Sequence, residues 1–183
     1  MLLTCLMAGC RGEPGPAGNE TAAAPIEVRF SPHGGCTEAI VAAIDEATSS
    51  VLVQAYSFTS SPIANALAVA HRRGVRVEVI VDEGQTAEMY FEADYLRKAG
   101  VAVLVDGQHM HAHNKLMIID DRVVISGSFN FTRMAEEHNA ENLLLVRSPA
   151  LAQQYTANWK THAAHSVPYQ GHASLSKHHN QGP

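Results

Sequence analysis

His113 and Lys115 stand two residues apart, Asp120 follows after four more, and Gly127, Ser128 and Asn130 come six residues further on. Residues two apart in an extended segment project the same way. His113 and Lys115 are therefore expected on one face at the start of a strand, and Ser128 and Asn130 at the end of its neighbour. One imidazole, one ammonium, one hydroxyl and one amide would then meet at a strand-end crevice. Phosphodiester hydrolysis needs such a set: a nucleophile, and fixed donors for the charge on the non-bridging oxygens. A pairing of His111 with His113 as metal ligands, helped by Asp120 and Asp121, is the competing reading. It requires those four residues to converge in space.

The elements that must position this set alternate along the chain. Ile26 to Phe30 alternates with period two, as a half-exposed strand does. Ile40, Ala43, Ile44 and Ala47 mark one face of a helix, and Ile63, Ala66, Leu67 and Ala70 another. Between them, Val51 to Tyr56 is nearly continuously apolar, as expected of a strand buried on both faces. Ser61-Pro62 reads as a helix start and Gly74 as a helix stop. Val75 to Val81 is the next strand, Glu88 to Ala99 a third helix, and Val101 to Val105 a fourth strand. Leu116 to Ile119 and Val123 to Ile125 form a hairpin turning at Asp120-Asp121-Arg122. Asn142 to Arg147 is a strand, and Ser148-Pro149 opens a last helix bearing Leu151, Tyr155 and Trp159. The alternation predicts an α/β fold with a mixed, mostly parallel sheet flanked by helices on both faces.

The spacing H-x-K-x4-D-x6-G-S-x-N resembles the signature of the phospholipase D superfamily. Phe30-Ser-Pro-x-Gly34, Ala55-Tyr-Ser-Phe-Thr59, Val81-Asp82-Glu83 and Gly127-Ser-Phe-Asn-Phe-Thr132 look like its bacterial single-motif endonuclease branch. That resemblance implies a phospholipase D-like fold and a phosphodiesterase that uses neither metal nor cofactor. It implies His113 as the nucleophile that forms a phosphohistidine, and Lys115, Ser128 and Asn130 as holders of the phosphoryl oxygens. Asp120 takes the motif's acidic position, with an orienting, mainly structural role. Glu141 matches a carboxylate that orients the nucleophilic histidine in related enzymes.

The motif occurs once, and the chain shows no internal repeat. Protonating the leaving alkoxide calls for a second imidazole, which members with two motifs supply from their other copy. Here it must come from another molecule, so a two-fold homodimer with one composite site is expected.

Thirteen basic against eighteen acidic residues leave a formal charge of -5. Any polyanionic substrate must be met by local cations, for which Arg72, Arg73, Arg97, Lys98, Arg122 and Arg133 are the candidates. Nucleic acid is the favoured substrate; the alternative is a phospholipase D acting on phosphatidylcholine or cardiolipin by hydrolysis or transphosphatidylation, and an inactive phosphate-binding module is the reading from another class. Met7-Ala8-Gly9-Cys10 resembles a lipobox, which predicts a cell-envelope protein on the periplasmic side, anchored to the membrane through Cys10; a cytoplasmic protein is the alternative. The organisation expected is a signal-like segment over 1–10, a tether over 11–25, one phosphodiesterase domain over 26–167 and a disordered His-rich tail over 168–183. Cys36, just before a helix, is expected to pack and not to react.

Overall fold

A computed structural model of the chain describes residues 25–86 and 92–171. The leader-like segment, Cys5 and Cys10, nearly all of the tether, the start expected for the third helix and most of the tail lie outside those residues. The strands are β1 (Ile26–Ser31), β2 (Ser50–Ala55), β3 (Arg76–Asp82), β4 (Ala102–Asp106), β5 (Lys115–Ile119), β6 (Val123–Gly127), β7 (Glu141–Arg147) and the short β8 (Val167–Pro168). They form one sheet in the order β1-β7-β6-β5-β2-β3-β4-β8.

Only β2–β3 and β3–β4 pair in parallel; the other five neighbouring pairs are antiparallel. The sheet is mixed, as expected, but mostly antiparallel and not mostly parallel. The helices α1 (Cys36–Asp45), α2 (Ser61–Arg72), α3 (Ala93–Lys98) and α5 (Pro149–His165) suggested repeated crossovers. Only α2 and α3 join neighbouring parallel strands. The β5–β6 connection is a tight hairpin, and the segment carrying α4 (Arg133–Glu137) is too compact to return the chain to the other end of the sheet.

Helices cover both faces. On one, α1 to α3 bury the two aliphatic stripes read from the sequence against Val51, Val53, Val79, Met117 and Ile125. On the other, α5 lays Ala152 and Trp159 over Leu52, Ile80, Leu116, Ile118 and Val124. The Trp159 indole donates to the Val53 carbonyl at 2.9 Å, which satisfies its one polar atom inside an apolar layer. All six residues of β2 are buried, since this central strand is covered twice.

The helix ends follow local chemistry. Ser148 caps α5 by accepting from the Leu151 N–H, and the cap of α2 is Ser60, one residue before the expected position. At the β5–β6 turn Asp120 and Asp121 take φ of 52° and 53°, as the two central residues of a type I′ turn must. The fold also runs past Val167. Pro168 pairs with Leu104, the Tyr169 N–H donates to Val103, and Tyr169 is buried. The boundary expected at 168 is therefore too early: a tyrosine and a proline in a polar stretch were enough to add an edge strand.

Candidate active site

The strand directions bring the C-termini of β2, β3, β4 and β6 and the N-termini of β5 and β7 to one end of the sheet. Lys115 opens β5 opposite Ala55, the last residue of β2, and Glu141 opens β7 opposite Ser31, the last of β1. Residues 107–114 leave β4 and cross the ends of β3 and β2 before entering β5. They are pinned at each crossing. The buried Asp82 carboxylate accepts from the Ala112 N–H at 2.7 Å, and the Asn114 carbonyl accepts from the Tyr56 N–H at 2.8 Å. These bonds fix the backbone on either side of His113.

Lys115 is buried, and its ammonium lies 2.9 Å and 3.1 Å from the two ring nitrogens of His113 while donating to the His113 carbonyl at 3.0 Å. The Tyr56 ring packs on the His113 imidazole with centroids 4.3 Å apart and meets the Lys115 ammonium at 5.0 Å. Gln85 holds the tyrosine hydroxyl at 3.2 Å. Burial, the Lys115 ammonium and His111 together push the His113 pKa down, against the pull of Asp82. That shift favours the neutral imidazole, whose lone pair can attack. Burial also lowers Lys115, and the Glu141 carboxylate opposes that shift and sustains the ammonium.

Past β6, Ser128 and Asn130 leave the neighbouring strand end, as their spacing implied. The Ser128 hydroxyl accepts from the Asn142 N–H at 3.0 Å and keeps its own proton to donate. Phe129 and Phe131, the chain neighbours of Asn130, are both fully buried in the core and anchor the backbone on either side of it. The Asn130 amide oxygen is buried without a hydrogen-bond partner, an acceptor that only a donor could satisfy, while the amide NH2 is the group able to donate to a phosphoryl oxygen. Gly127 has φ 152°, and a Cβ there would drive into the Asn142 carbonyl. No other residue permits β6 to approach β7 so closely.

Asp120 is the signature residue that the structure does not bring to the crevice. It stands at the far end of β5 from Lys115, roughly 16 Å along the strand. Its carboxylate accepts from the N–H groups of Thr48, Ser49 and Ser50 and from the hydroxyls of Thr48 and Ser49. These bonds hold the turn before β2, so Asp120, though part of the catalytic signature, stands apart from the residues at the crevice. The same distance removes Asp120 and Asp121 from any metal site with His111 and His113. Among the described residues no hydrogen bond joins Glu141 to His113. Glu141 accepts from the Asn139 side chain at 3.1 Å, and the packing partner of the imidazole is Tyr56.

The candidate cations also fall elsewhere. Helices α2 and α3 run from the site end of one parallel strand back to the start of the next. They carry Arg72, Arg73, Arg97 and Lys98 to the opposite end of the sheet, where Arg122 lies in the β5–β6 turn. Arg73 is used there to bind the carbonyls of Ile44, Asp45 and Ala47. Only Arg133, at the start of α4, remains on the site side.

Tyr56 and Asp82 were missed as functional residues. The signal was present, because an aromatic or an acid directly after an apolar run marks a strand end. Cys36 is buried and its thiol is pushed up to about 11, by burial first and then by Glu136 and Glu38, as befits a packing residue.

Comparison with known proteins agrees with this architecture. Residues 40–162 match the family described as cardiolipin synthase, PLD-like domain. A phospholipase D of Rickettsia conorii is 37% identical over 141 residues, 77% of this chain and 70% of the relative. A mitochondrial cardiolipin hydrolase of Chlamydomonas reinhardtii is 34% identical over 120 residues, 63% of this chain and 54% of that protein. The crystal structure of Nuc, a phospholipase D family member from Salmonella typhimurium, superposes with a TM-score of 0.77 at 32% identity. It covers 81% of this chain and 99% of its own.

Proposed function

The chain belongs to the phospholipase D superfamily and is a phospholipase D-like hydrolase, and from that premise we propose a metal-independent, sequence-nonspecific endonuclease that acts as a homodimer. The observation that carries the catalytic part is the exposed His113 imidazole beside the buried Lys115 side chain, 2.9 Å apart. One ring nitrogen of His113 attacks phosphorus, and the bond from phosphorus to the leaving alkoxide breaks. The proton for that alkoxide comes from His113 of the partner subunit, which must enter the step as the imidazolium while the attacking ring is neutral. Water then attacks the phosphohistidine, gives its proton back to that second imidazole, and frees His113. Lys115, Ser128 and Asn130 hold the non-bridging oxygens throughout.

Two features support the dimer. The reaction needs a second imidazole, and the edge strand β1 leaves apolar side chains uncovered. Ile26, Val28 and Phe30 are exposed at 61%, 43% and 65%, beside Leu144 of β7. The far end of that stripe adjoins the site, where a second copy would cover it. Nucleic acid is favoured because the crevice is open. His111 and His113 are exposed, and the concavities along Asp120 and Arg122 and along Glu27 and Glu38 lie away from them. An open track suits a polymer of phosphodiesters better than a single enclosed headgroup. Of the candidate cations only Arg133 lies on this side, so binding should be weak and its salt dependence shallow.

A phospholipase is the second reading. It is favoured by Met110, 91% exposed at the tip of the segment leading to His113, and by the name of the Rickettsia relatives. A lipid anchor at Cys10 on the periplasmic side, if attached, would put either activity at a membrane surface.

The experiment is an assay in EDTA against plasmid DNA, single-stranded RNA, phosphatidylcholine and cardiolipin, with His113→Asn as control. Cleavage of DNA or RNA by the wild type alone is expected. Hydrolysis of lipid only would transfer the conclusion to the second reading, and no cleavage at all, with or without EDTA, would sink the enzymatic reading. Sedimentation tests the dimer, since a fully active monomer excludes a composite site. Mixing wild type with excess His113→Asn should leave mixed dimers poorly active.

A further inference from the structure

Away from His113, on the face covered by α5, four side chains converge that the catalytic chemistry does not use. Asp106 ends β4 and is completely buried. His109 follows three residues later, and His162 and His165 project from the last turns of α5. The ligand atoms of all four lie within 4.8 Å of one another. His162 Nδ1 is 2.8 Å from one carboxylate oxygen, His165 Nε2 is 3.2 Å from the other, and His109 Nδ1 is 3.2 Å from both. The three rings form a nearly equilateral triangle, with centroids 5.0, 5.4 and 5.4 Å apart.

Hydrogen bonding alone leaves this cluster incomplete. One carboxylate oxygen already accepts from the Gln108 N–H at 3.1 Å. His165 Nε2 is buried and, although near that oxygen, makes no hydrogen bond. A polar ring nitrogen left unbonded beside a buried carboxylate is costly. Three imidazole nitrogens and one carboxylate oxygen are, however, a complete tetrahedral donor set for a borderline-soft divalent ion. At metal–ligand bonds of about 2.0–2.2 Å, such donors stand roughly 3.3 Å apart; the nitrogen–oxygen separations here are 2.8–3.2 Å and the whole set lies within 4.8 Å.

We propose that Asp106, His109, His162 and His165 form a metal site for a zinc-class divalent cation, independent of the catalytic centre. The site joins the end of α5 to residues 107–114, the segment that Asp82 and Tyr56 pin further along. A bound ion would therefore be a third anchor for the backbone that delivers His113. His109, 45% exposed in its side chain, leaves a path for the ion to enter. All four positions being filled by protein, the site is closed and structural, with no place for a metal-bound water.

The test uses the full chain, stripped with chelator and titrated with Zn2+ and with Co2+. One equivalent should bind, Co2+ should show the intense visible bands of a tetrahedral ion, and Zn2+ in 100-fold excess over Kd should raise Tm by roughly 5–10 °C. His162→Ala with His165→Ala should abolish all three effects. His109→Ala, on an exposed segment where folding is not at stake, should weaken binding at least tenfold and change the Co2+ spectrum. Replacing the tail histidines His172, His178 and His179 should change none of this. The proposal is overturned if no ion binds, if binding survives loss of His109, His162 and His165, or if it disappears with the tail histidines. None of these readouts depends on hydrolytic activity, so they stand or fall apart from the proposed reaction.

Discussion

Tyr56 lies with its ring 4.3 Å from the His113 imidazole, centroid to centroid, and tilted by 55°. The contact comes from the last turn of backbone after β2, the most deeply buried strand, so a rigid element holds one side of the nucleophile. Tyr56→Ala removes that wall together with the cation–π contact to Lys115. An aromatic contact of this kind is worth about 0.5–1.5 kcal/mol, so kcat should fall roughly three- to tenfold by steady-state kinetics. Tyr56→Phe keeps the wall and should stay within about twofold of wild type. Equal losses in both variants would place the hydroxyl, and not the ring, at the centre of the effect.

Lys115 should govern both the rate and its pH dependence. Removing a preorganised donor to a developing oxyanion costs about 100- to 1,000-fold, the loss expected for Lys115→Met. A protonated imidazole cannot attack, so kcat/KM must fall on the acid side as His113 takes up a proton. Burial, Lys115 and His111 depress that pKa, which places the acid limb below the ordinary histidine value of about 6.5. Lys115→Met deletes one depressing charge, so the limb should move upward in pH. A limb that stays in place or moves down would remove Lys115 as its cause.

Asp120 should matter for stability and not for chemistry. Burial alone would raise its pKa, but the bonds from Ser50, Thr48 and Ser49 outweigh it and hold the carboxyl well below the usual carboxylate range. A depressed folded-state pKa contributes stability above the unfolded value of about 3.9, and that contribution is lost as pH falls through the folded pKa. Asp120→Asn should lower unfolding free energy at pH 7 by about 1.5–3 kcal/mol. The difference from wild type should shrink by pH 3. Urea titrations at the two pH values measure both, and kcat for the folded fraction should be unchanged.

Gly127→Ala adds the smallest possible side chain where the Asn142 carbonyl leaves no room. Strain at such a backbone position costs about 1–3 kcal/mol. Because Ser128 and Asn130 follow directly, activity should drop beyond the loss of folded protein. Denaturant midpoints compared with activity per folded molecule separate the two effects.

The strand-end chemistry was legible because His113 and Lys115 carry their spacing with them: two residues apart in an extended segment must share a face. The buried stripes of α1 and α2 were legible for the same reason, since helical periodicity is local. Strand direction was not. Whether β5 runs with or against β2 depends on the path of residues 107–114 across the sheet, and that path is set by Asp82 and Tyr56 from two other strands. Asp120 shows the opposite failure. It sits at a fixed spacing from His113, but in a strand each residue adds about 3.3 Å, so a fixed spacing separated the two. The Arg and Lys residues at the ends of α2 and α3 were misplaced because their direction follows the parallel crossovers, which no residue pattern near them encodes.

Trp159 is the one tryptophan in the chain, and it is locked against the Val53 carbonyl in the middle of the sheet. The molecule therefore carries an intrinsic fluorophore that reads a single event, the seating of α5 on the central strand. His162 lies one turn further along the same helix, so tightening of that turn has a spectroscopic witness already in place. Emission wavelength and quenching by iodide can follow that seating in the unaltered protein, without a label.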